Sequence, residues 1–226
     1  MALIELREVV KEYPGGVRAL SGVDLEVEAG ELLTVVGPSG SGKTTLLQIM
    51  GTLDRPSSGE VRIENLDVAA ASDDHLSALR AWRIGFVFQQ FYLLYGMSSV
   101  DNVAGGLLYS GLPMNERRAR AREALARVGL GHRLDHQPNQ LSGGEQQRTA
   151  IARALVGDPT IIFADEPTGS LDTRTGASIV ELLRELNTDG TTIVVITHDL
   201  ELAQSFHRQV AMRDGEVIRE ERPVHR

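Results

Sequence analysis

The residues with the clearest chemical meaning form the run Gly37-Pro38-Ser39-Gly40-Ser41-Gly42-Lys43-Thr44-Thr45. This run matches the phosphate-binding pattern G-x-x-x-x-G-K-[ST] at every required position. Glycine lets the backbone curl so that successive N–H groups point at one anion, and a helix that starts there adds partial positive charge. We expect Lys43 to reach the β- and γ-phosphates of a nucleoside triphosphate and the Thr44 hydroxyl to bind Mg²⁺.

Other polar side chains come directly after apolar runs; they are Gln89, Asp165, Glu166 and His198. Because parallel strands bind ligands at their carboxyl ends, we expect these residues to share one site. Asp165 suits the outer shell of Mg²⁺, and Glu166 is the candidate to orient and deprotonate an attacking water. The alternative for the two acids is an exposed strand end without a chemical role.

The elements that must position these residues alternate between strand and helix. Four apolar residues, Leu32, Leu33, Val35 and Val36, predict a strand before the phosphate loop, and the apolar spacing after it predicts a helix. Alternating apolar and polar residues at 23–28 and 59–64 predict half-exposed strands, and Asp214-Gly215 predicts a hairpin. The aromatic segment 91–101 is predicted to be a loop.

The predicted fold class is α/β, with a phosphate-loop NTPase core around a mainly parallel sheet, an N-terminal antiparallel β subdomain and a helical subdomain. We predict a single domain over residues 1–226. Within it, about 1–89 and 157–226 form the core with the β subdomain, and about 90–156 form the helical subdomain.

The composition narrows the class of protein. A formal net charge of -8 argues against nucleic acid as a partner, because proteins that bind free DNA or RNA usually carry a basic excess. The absence of cysteine excludes disulfides and thiolate metal sites. Acids near the N-terminus and the lack of a run of ~18 apolar residues lead us to expect no signal peptide and no membrane span. Any link to a membrane is therefore expected to come through a partner.

One more motif, Leu141-Ser142-Gly143-Gly144-Glu145, lies upstream of the two acids. Six features occur along the chain in this order: the phosphate loop, Gln89, this motif, Asp165-Glu166, Ser170-Leu171-Asp172 and His198. With these features the chain resembles the ATP-binding cassette (ABC) ATPases over almost its whole length. The resemblance implies that the helical subdomain carries the family signature, that ATP and Mg²⁺ are bound, and that ATP is hydrolysed.

The resemblance also implies a second copy of the chain. Ser142, Gly143, Gly144 and Glu145 look like the signature that contacts the γ-phosphate of ATP held by another subunit. A hydroxyl, two unencumbered amides and a helix N-terminus suit an anion. Two cassettes are then expected to pack head to tail as a homodimer with two ATP molecules between them.

Further roles follow from the same resemblance. Gln89 looks like the residue that joins Mg²⁺ and the attacking water to the transporter contact surface. His198 looks like the γ-phosphate switch residue, although on its own it is more typical of a cap before Asp199. Tyr13 matches the aromatic residue that stacks on adenine, with a structural turn tyrosine as the alternative. Asp172 looks like the residue that couples the two nucleotide sites.

Within the family, residues 85–89, 141–148 and 164–169 resemble macrolide-type exporters and lipoprotein-release systems. Two departures are Tyr95, where such cassettes usually have proline, and Ser170, where they often have asparagine. The resemblance implies an ATP-hydrolysing subunit that powers a membrane transporter. It would be cytoplasmic and peripheral on the inner face of the membrane, held there by an integral membrane permease. The alternative is a regulatory ABC ATPase of the cell-division type.

Two surface segments have more than one interpretation. The candidates for docking the permease are Phe91, Tyr92, Leu94, Tyr95 and Met97, and the alternative is that they pack inside the helical subdomain. The arginines 117, 118, 120 and 122 are interpreted as a solvated helix face, with an anionic partner surface as the alternative.

Overall fold

The computed structural model describes residues 2–206 and 208–221, and the chain divides into two compact units. The first unit comprises Met1–Ser77 and Gly190–Arg226, and the second comprises Ala78–Asp189. Each unit contains both strands and helices, as the predicted α/β fold class requires. The core and helical subdomain bounded near residues 89 and 157 stay a prediction from the sequence.

The first part of the chain forms an antiparallel sheet and the strand–loop–helix unit of the phosphate loop. Its elements are β1 (Ala2–Tyr13), β2 (Val17–Glu28), β3 (Leu32–Val36), α1 (Lys43–Met50), β4 (Ser58–Ile63) and β5 (Leu66–Asp67). The sheet has the strand order β2-β1-β4-β5, and each of its pairs is antiparallel. Ile4 and Leu6 of β1 are buried because alternate side chains of a strand share a face, whereas Arg7 and Glu8 are both exposed at a register shift between Leu6 and Val9. The predicted N-terminal antiparallel β subdomain is confirmed.

Helix α2 (Asp73–Arg83) runs across the boundary between residues 77 and 78. In its described part, the second unit also contains a parallel strand pair and four α-helices, which are β6 (Ile84–Phe88), α3 (Ser99–Ala104), α4 (Met114–Arg127), α5 (Gly143–Leu155), β7 (Ile161–Asp165) and α6 (Thr173–Thr188). Strands β6 and β7 pair in parallel from Ile84 opposite Ile161 to Phe88 opposite Asp165. Both strands therefore end at the same edge, where Gln89 and Glu166 follow.

The chain returns to the first unit with β8 (Thr192–Thr197), α7 (Leu200–Gln204), β9 (Arg208–Arg213) and β10 (Glu216–Glu221). Strand β3 pairs in parallel with both β8 and β9, and β10 is antiparallel to β9. Every residue of β3 and β8 is buried, which explains their unbroken apolar sequences. The predicted hairpin is present, with φ of 51° at Asp214 and 83° at Gly215.

Helix α3 was not predicted, because the segment 91–101 was interpreted as a loop. The helix starts at Ser99, and the Ser98 hydroxyl caps it by accepting a hydrogen bond from the Asp101 backbone N–H at 3.1 Å. It has only six residues, which is too short for an apolar period to show in the sequence. Within residues 2–206 and 208–221, no helix is both long and apolar enough to cross a membrane.

Candidate active site

The phosphate loop connects β3 to α1 and curls around one ammonium group. Gly40 and Gly42 have φ of 80° and 97°, which L side chains rarely adopt. The Lys43 Nζ donates hydrogen bonds to the carbonyl oxygens of Gly37 at 2.8 Å and Pro38 at 2.9 Å. Lys43 is only 7% exposed, so its charge is held inside the loop. Thr44 is exposed and Thr45 is half-buried in the first turn of α1.

Close backbone approaches fix the shape of this loop. A Cβ atom on Gly37 would lie 2.3 Å from the Met212 carbonyl oxygen, and one on Gly42 would lie 2.4 Å from that of Ala19. The Gly215 N–H also donates a hydrogen bond to the Ser41 carbonyl oxygen at 3.2 Å. Strand β2 and the β9–β10 hairpin therefore brace the loop, and glycine is the residue that fits at both positions.

His198 lies beside the phosphate loop at the strand ends. In the parallel pairing of β3 and β8, Val36 is opposite Thr197, so Gly37 and His198 are the next residues on the two strands. His198 is exposed. The Thr197 hydroxyl accepts a hydrogen bond from the Asp199 N–H at 3.0 Å, which turns the chain after the strand. Within the first unit, His198 therefore lies next to the start of the phosphate loop.

Tyr13, at the end of β1, is half-buried and held by two partners that the sequence analysis missed. Its hydroxyl donates to Asp54 Oδ2 at 3.1 Å, and the Lys11 Nζ lies 5.0 Å from its ring centroid. Lys11 also donates to Asp54 Oδ1 at 2.6 Å. Burial raises the pKa of Asp54, but the hydrogen bonds from Lys11, the Arg55 backbone and Tyr13 outweigh it and lower that pKa. The two-residue spacing of Lys11 and Tyr13 was a signal that they share a strand face; Asp54 gave none.

The second unit brings Gln89 to the loop that follows β7. The carboxamide of Gln89 packs on Gly169 so closely that a Cβ there would lie 2.8 Å from the Gln89 Nε2. The Ser170 hydroxyl also donates to the Gln89 carbonyl oxygen at 3.3 Å. Asp165 is the last residue of β7 and Glu166 is the first residue after it; both are half-buried. Because Phe88 is opposite Asp165, Gln89 and Glu166 are the next residues at the ends of two paired strands.

Glu166 has a strained backbone. Its φ of 48° lies in the left-handed region, which is costly for a residue with a side chain. The Gly169 N–H donates to the Glu166 carbonyl oxygen at 3.1 Å and closes the turn. Backbone strain of this kind is concentrated at functional sites, which supports Glu166 as a candidate functional residue.

The signature residues form the start of α5. The Glu145 N–H donates to the Ser142 hydroxyl at 3.3 Å, and the Ser142 N–H donates to the Glu145 carboxylate at 2.8 Å. This reciprocal pair is a capping box. Arg133 adds a third contact to Glu145 at 2.8 Å. The Ser142 backbone hydrogen bond lowers the pKa of Glu145 most, and the Ser142 hydroxyl and Arg133 also lower it against the effect of burial. Glu145 thus holds Ser142, which is itself exposed, in place.

Gly143 and Gly144 let α5 approach the loop before α6. A Cβ atom on Gly143 would lie 3.2 Å from Leu171 Cδ2, and one on Gly144 would lie 2.5 Å from Thr175 Cγ2. Asp172 caps α6 by accepting the Thr175 N–H at 3.0 Å. A hydrogen bond with the Thr175 side chain lowers the pKa of Asp172 most, and this backbone contact lowers it further. Asp172 is exposed.

The residues predicted for Mg²⁺ supply suitable oxygen atoms. Thr44, Gln89 and Asp165 offer a hydroxyl, a carboxamide and a carboxylate, and Mg²⁺ usually takes one or two protein oxygens besides phosphate and water. The described residues contain no group of three or more His, Asp or Glu side chains that could hold a metal by itself. Ser41 Oγ is buried and has no hydrogen-bond partner within the described chain, so the loop retains polar capacity for a ligand. The oxygen atoms of Thr44, Gln89 and Asp165 are each of a type that suits Mg²⁺ carried in by phosphates.

Comparisons with known proteins agree with this geometry. The profile of the family described as ABC transporter matches residues 20–169. An uncharacterized ABC transporter ATP-binding protein of Thermotoga maritima is 51% identical over 218 residues, with 95% of this chain and 93% of that protein covered. A macrolide export ATP-binding/permease protein of Paracoccus denitrificans is 49% identical over 97% of this chain. The chain spans about one third of the length of the macrolide-export relatives that it matches, 33% in that case.

Solved structures give the same result. A dimeric ATP-binding cassette in a post-hydrolysis state with ADP and Pi has a TM-score of 0.87 and 45% identity, with 97% of this chain and 98% of that chain covered. The fold and these comparisons together define an ATP-binding cassette that hydrolyses ATP. The chain belongs to the ABC transporter family.

Proposed function

We propose that this chain is the ATP-hydrolysing subunit that drives a membrane transporter of the exporter or lipoprotein-release type. The observation that carries the proposal is the start of α5, where an exposed Ser142 stands at a helix N-terminus followed by two glycines. A phosphate loop alone serves many enzyme classes, whereas this second anion-binding terminus fits an ATP held by another copy.

The residues of the chain divide the chemistry between them. Lys43 and the backbone amides of the loop bind the phosphates and bear the charge that develops on them. Glu166 polarises the attacking water, Gln89 orients it, and His198 senses the γ-phosphate. When bound through Thr44, Gln89 and Asp165, Mg²⁺ neutralises phosphate charge. Tyr13 stacks on adenine, with its ring fixed by Asp54 and Lys11.

Head-to-tail pairing of two copies completes the site. Residues 142–144 of one copy contact the γ-phosphate held by the other, and Asp172 lies on the same surface of the second unit, where it couples the two sites. The dimeric structure of a related cassette supports the pairing of two copies. Loss of the γ-phosphate removes an attraction across the interface, so hydrolysis opens the dimer.

An integral membrane permease docks on the segment 91–97. Tyr92, Leu94 and Tyr95 are 62%, 60% and 78% exposed, which favours docking over packing inside the helical subdomain. Beside them lies a groove of about 370 Å³ whose lining includes Trp82, Phe86, Phe88 and Arg153. Arg153 donates to the carbonyl oxygens of Phe91 at 2.8 Å and Tyr92 at 2.6 Å, so α5 holds the docking segment directly. Through this permease the chain sits on the inner face of the membrane.

The relatives support transport over the cell-division alternative. Several curated relatives at about half identity are described as macrolide export proteins with an ATP-binding and a permease part. We infer that this chain acts with a permease of the same kind, as a separate chain or as part of a longer one.

Two variants test the proposal. Glu166→Gln keeps the volume of the side chain but removes the base, so we expect an ATP-dependent dimer with turnover lowered by about 10²- to 10⁴-fold. Ser142→Arg fills the second anion site, so we expect ATP to bind to single chains without dimer formation. Size-exclusion chromatography with light scattering, with and without ATP, and a phosphate-release assay measure both effects.

Glu185→Gln, an exposed change in α6, is the matched control and should hydrolyse ATP normally. Near-normal hydrolysis by Glu166→Gln would contradict the role of Glu166. A stable ATP-dependent dimer of Ser142→Arg would contradict head-to-tail pairing.

A further inference from the structure

The strained turn at Glu166 is closed by the Gly169 N–H, and the residue after Glu166 adds a buried carbonyl group to it. Glu166 has φ of 48°, and Pro167, which follows it, is buried. A left-handed non-glycine residue persists only where its surroundings fix it. The carbonyl group of Pro167 must also find a donor, because buried backbone oxygen atoms are almost always hydrogen-bonded.

Gln147 supplies that donor. Its side chain is fully buried, and its Nε2 donates to the Pro167 carbonyl oxygen at 2.6 Å. The Gln147 Oε1 is also buried and has no hydrogen-bond partner among the described residues. A buried amide that is only half satisfied costs stability, so packing alone does not account for glutamine at this position.

The position of Gln147 on α5 explains why it can reach this carbonyl. Gly143 and Gly144 lie four and three residues earlier, on the same face of the helix as Gln147. Because these two glycines let α5 approach the loop before α6 closely, Gln147 lies within reach of the turn that follows β7. One helix face therefore carries the signature glycines at its start and the support for Glu166 one turn later.

We propose that Gln147 is a positioning residue for Glu166. Its carboxamide fixes the Pro167 carbonyl, which holds the left-handed turn at Glu166 and with it the direction of the carboxylate. The same helix presents residues 142–144 to the ATP of a second copy. A shift of these signature residues therefore also moves Glu166, the general base. This inference rests on the proposed role of Glu166.

Gln147→Met tests the donor while keeping the side-chain volume. We expect the turnover number for ATP to fall by about 10- to 100-fold, because small displacements of a reacting group cost that much. The KM for ATP and the ATP-dependent dimer should stay within about twofold, because the phosphate loop and Ser142 are untouched. Gln209→Met, the same change at a half-buried glutamine of β9 whose Nε2 donates to the Ala203 carbonyl oxygen at 2.8 Å, is the matched control and should keep its turnover within about twofold.

Gln147→Glu gives a pH readout that a purely structural role would not move. At neutral pH a carboxylate cannot donate to the Pro167 carbonyl, so turnover should fall. Burial raises the pKa of a carboxyl group, and once protonated it carries an O–H donor. We therefore expect the turnover of Gln147→Glu, relative to the unaltered chain at the same pH, to rise as the pH is lowered from about 8 to 6.

The outcomes distinguish a failure of the positioning role of Gln147 from a failure of the proposed role of Glu166. If Glu166→Gln is inactive but Gln147→Met turns over normally, Gln147 has no positioning role. If Glu166→Gln hydrolyses ATP normally, both the role of Glu166 and that of Gln147 are wrong. Equal losses of ATP binding and turnover in Gln147→Met would also overturn the inference. If Gln147→Met does not fold, the relative turnover of Gln147→Glu decides, and a ratio that stays flat with pH counts against it.

Discussion

The two units of the chain differ in charge and in what they expose. Residues 78–189 contain twelve arginines and twelve acidic residues, whereas the rest of the chain contains eleven basic and nineteen acidic residues. The whole net charge of -8 therefore belongs to the first unit, which also holds the phosphate loop. An anion site in an acidic unit must gain its affinity locally, from backbone amides, the N-terminus of α1 and Lys43.

Exposed apolar surface is distributed in the opposite way. Among the described residues, the large exposed apolar side chains of the second unit are Trp82, Tyr92, Leu94, Tyr95, Met97, Leu108, Tyr109 and Met114. Those of the first unit are Val17, Leu53 and Ile218. A charge-balanced unit with clustered apolar surface suits a protein partner, whereas an acidic unit with a local cation suits a phosphate ligand.

The largest expected effect tests whether local charge decides ATP affinity. Lys43→Met removes a charged donor from the loop, so we expect ATP affinity to fall about 100-fold, or about 3 kcal/mol. Glu166→Gln in the second unit should leave affinity within about twofold, since it acts on turnover. Isothermal titration with a non-hydrolysable ATP analogue measures both.

Arg62→Met, an exposed change in the same unit, is the control for net charge. It alters the charge of the first unit as much as Lys43→Met does and should change affinity by less than about twofold. Equal losses in the two variants would mean that net charge, and not the loop, sets the affinity.

The next effect concerns how the first unit tolerates its acidic excess. Arg208 is 3% exposed and pairs with Glu31 at 2.8 Å and Glu220 at 2.9 Å. Arg208→Met leaves these carboxylates without their cation, so we expect the free energy of unfolding to fall by about 3 kcal/mol. Chemical denaturation measures it. Arg219→Met, at an exposed position of β10, should cost less than about 0.5 kcal/mol, and a similar cost in both would show that burial of the pair is unimportant.

A smaller effect separates two requirements for glycine in the phosphate loop. A Cβ atom on Gly40 would meet open space, so Gly40→Ala carries only the conformational penalty of a φ near 80°, about 1 kcal/mol in folding stability. Gly42→Ala adds a contact of 2.4 Å with the Ala19 carbonyl oxygen, so we expect a loss of about 2–3 kcal/mol and weaker ATP binding. Thermal denaturation of both variants with and without ATP shows the difference; equal losses would contradict the bracing by β2.

The smallest effect lies in the second unit and depends on pH. The pKa of Glu145 is lowered in the folded chain. Its contribution to the free energy of unfolding is therefore complete above its ordinary pKa of about 4.3 and is lost as the pH falls through the pKa of the folded chain. We expect Glu145→Gln to cost about 1 kcal/mol at pH 7 and much less at pH 3. Denaturant titrations at the two pH values measure it. A cost that is the same at both would exclude the carboxylate charge as its cause.

Much of the fold could be predicted because its elements are long or carry strong local signals. The strand before the phosphate loop was predicted from its apolar residues and is observed as β3, and the Asp214-Gly215 hairpin followed from its turn residues. The parallel strands are buried on both faces, so their apolar runs stand out in the sequence. The short helix α3 was missed because its signal is one capping serine.

The residues of the candidate site also differ in whether the sequence could predict them. Residues inside motifs could be named from the sequence, because phosphate binding needs fixed residue types at fixed spacing. Asp54 and Gln147 could not, because their contacts join residues 41 and 20 positions apart. Such contacts depend on how closely one element approaches another, and the spacing of residues within a motif does not encode that distance.

The bracing of the phosphate loop also sets the order of events during synthesis. Gly37 packs on the carbonyl oxygen of Met212, and Ser41 accepts a hydrogen bond from Gly215, so the loop needs residues made more than 170 positions later. At about 5–20 residues per second, the ribosome takes about 10–35 s to supply them. ATP therefore finds no finished loop on a nascent chain until the β9–β10 hairpin has left the ribosome.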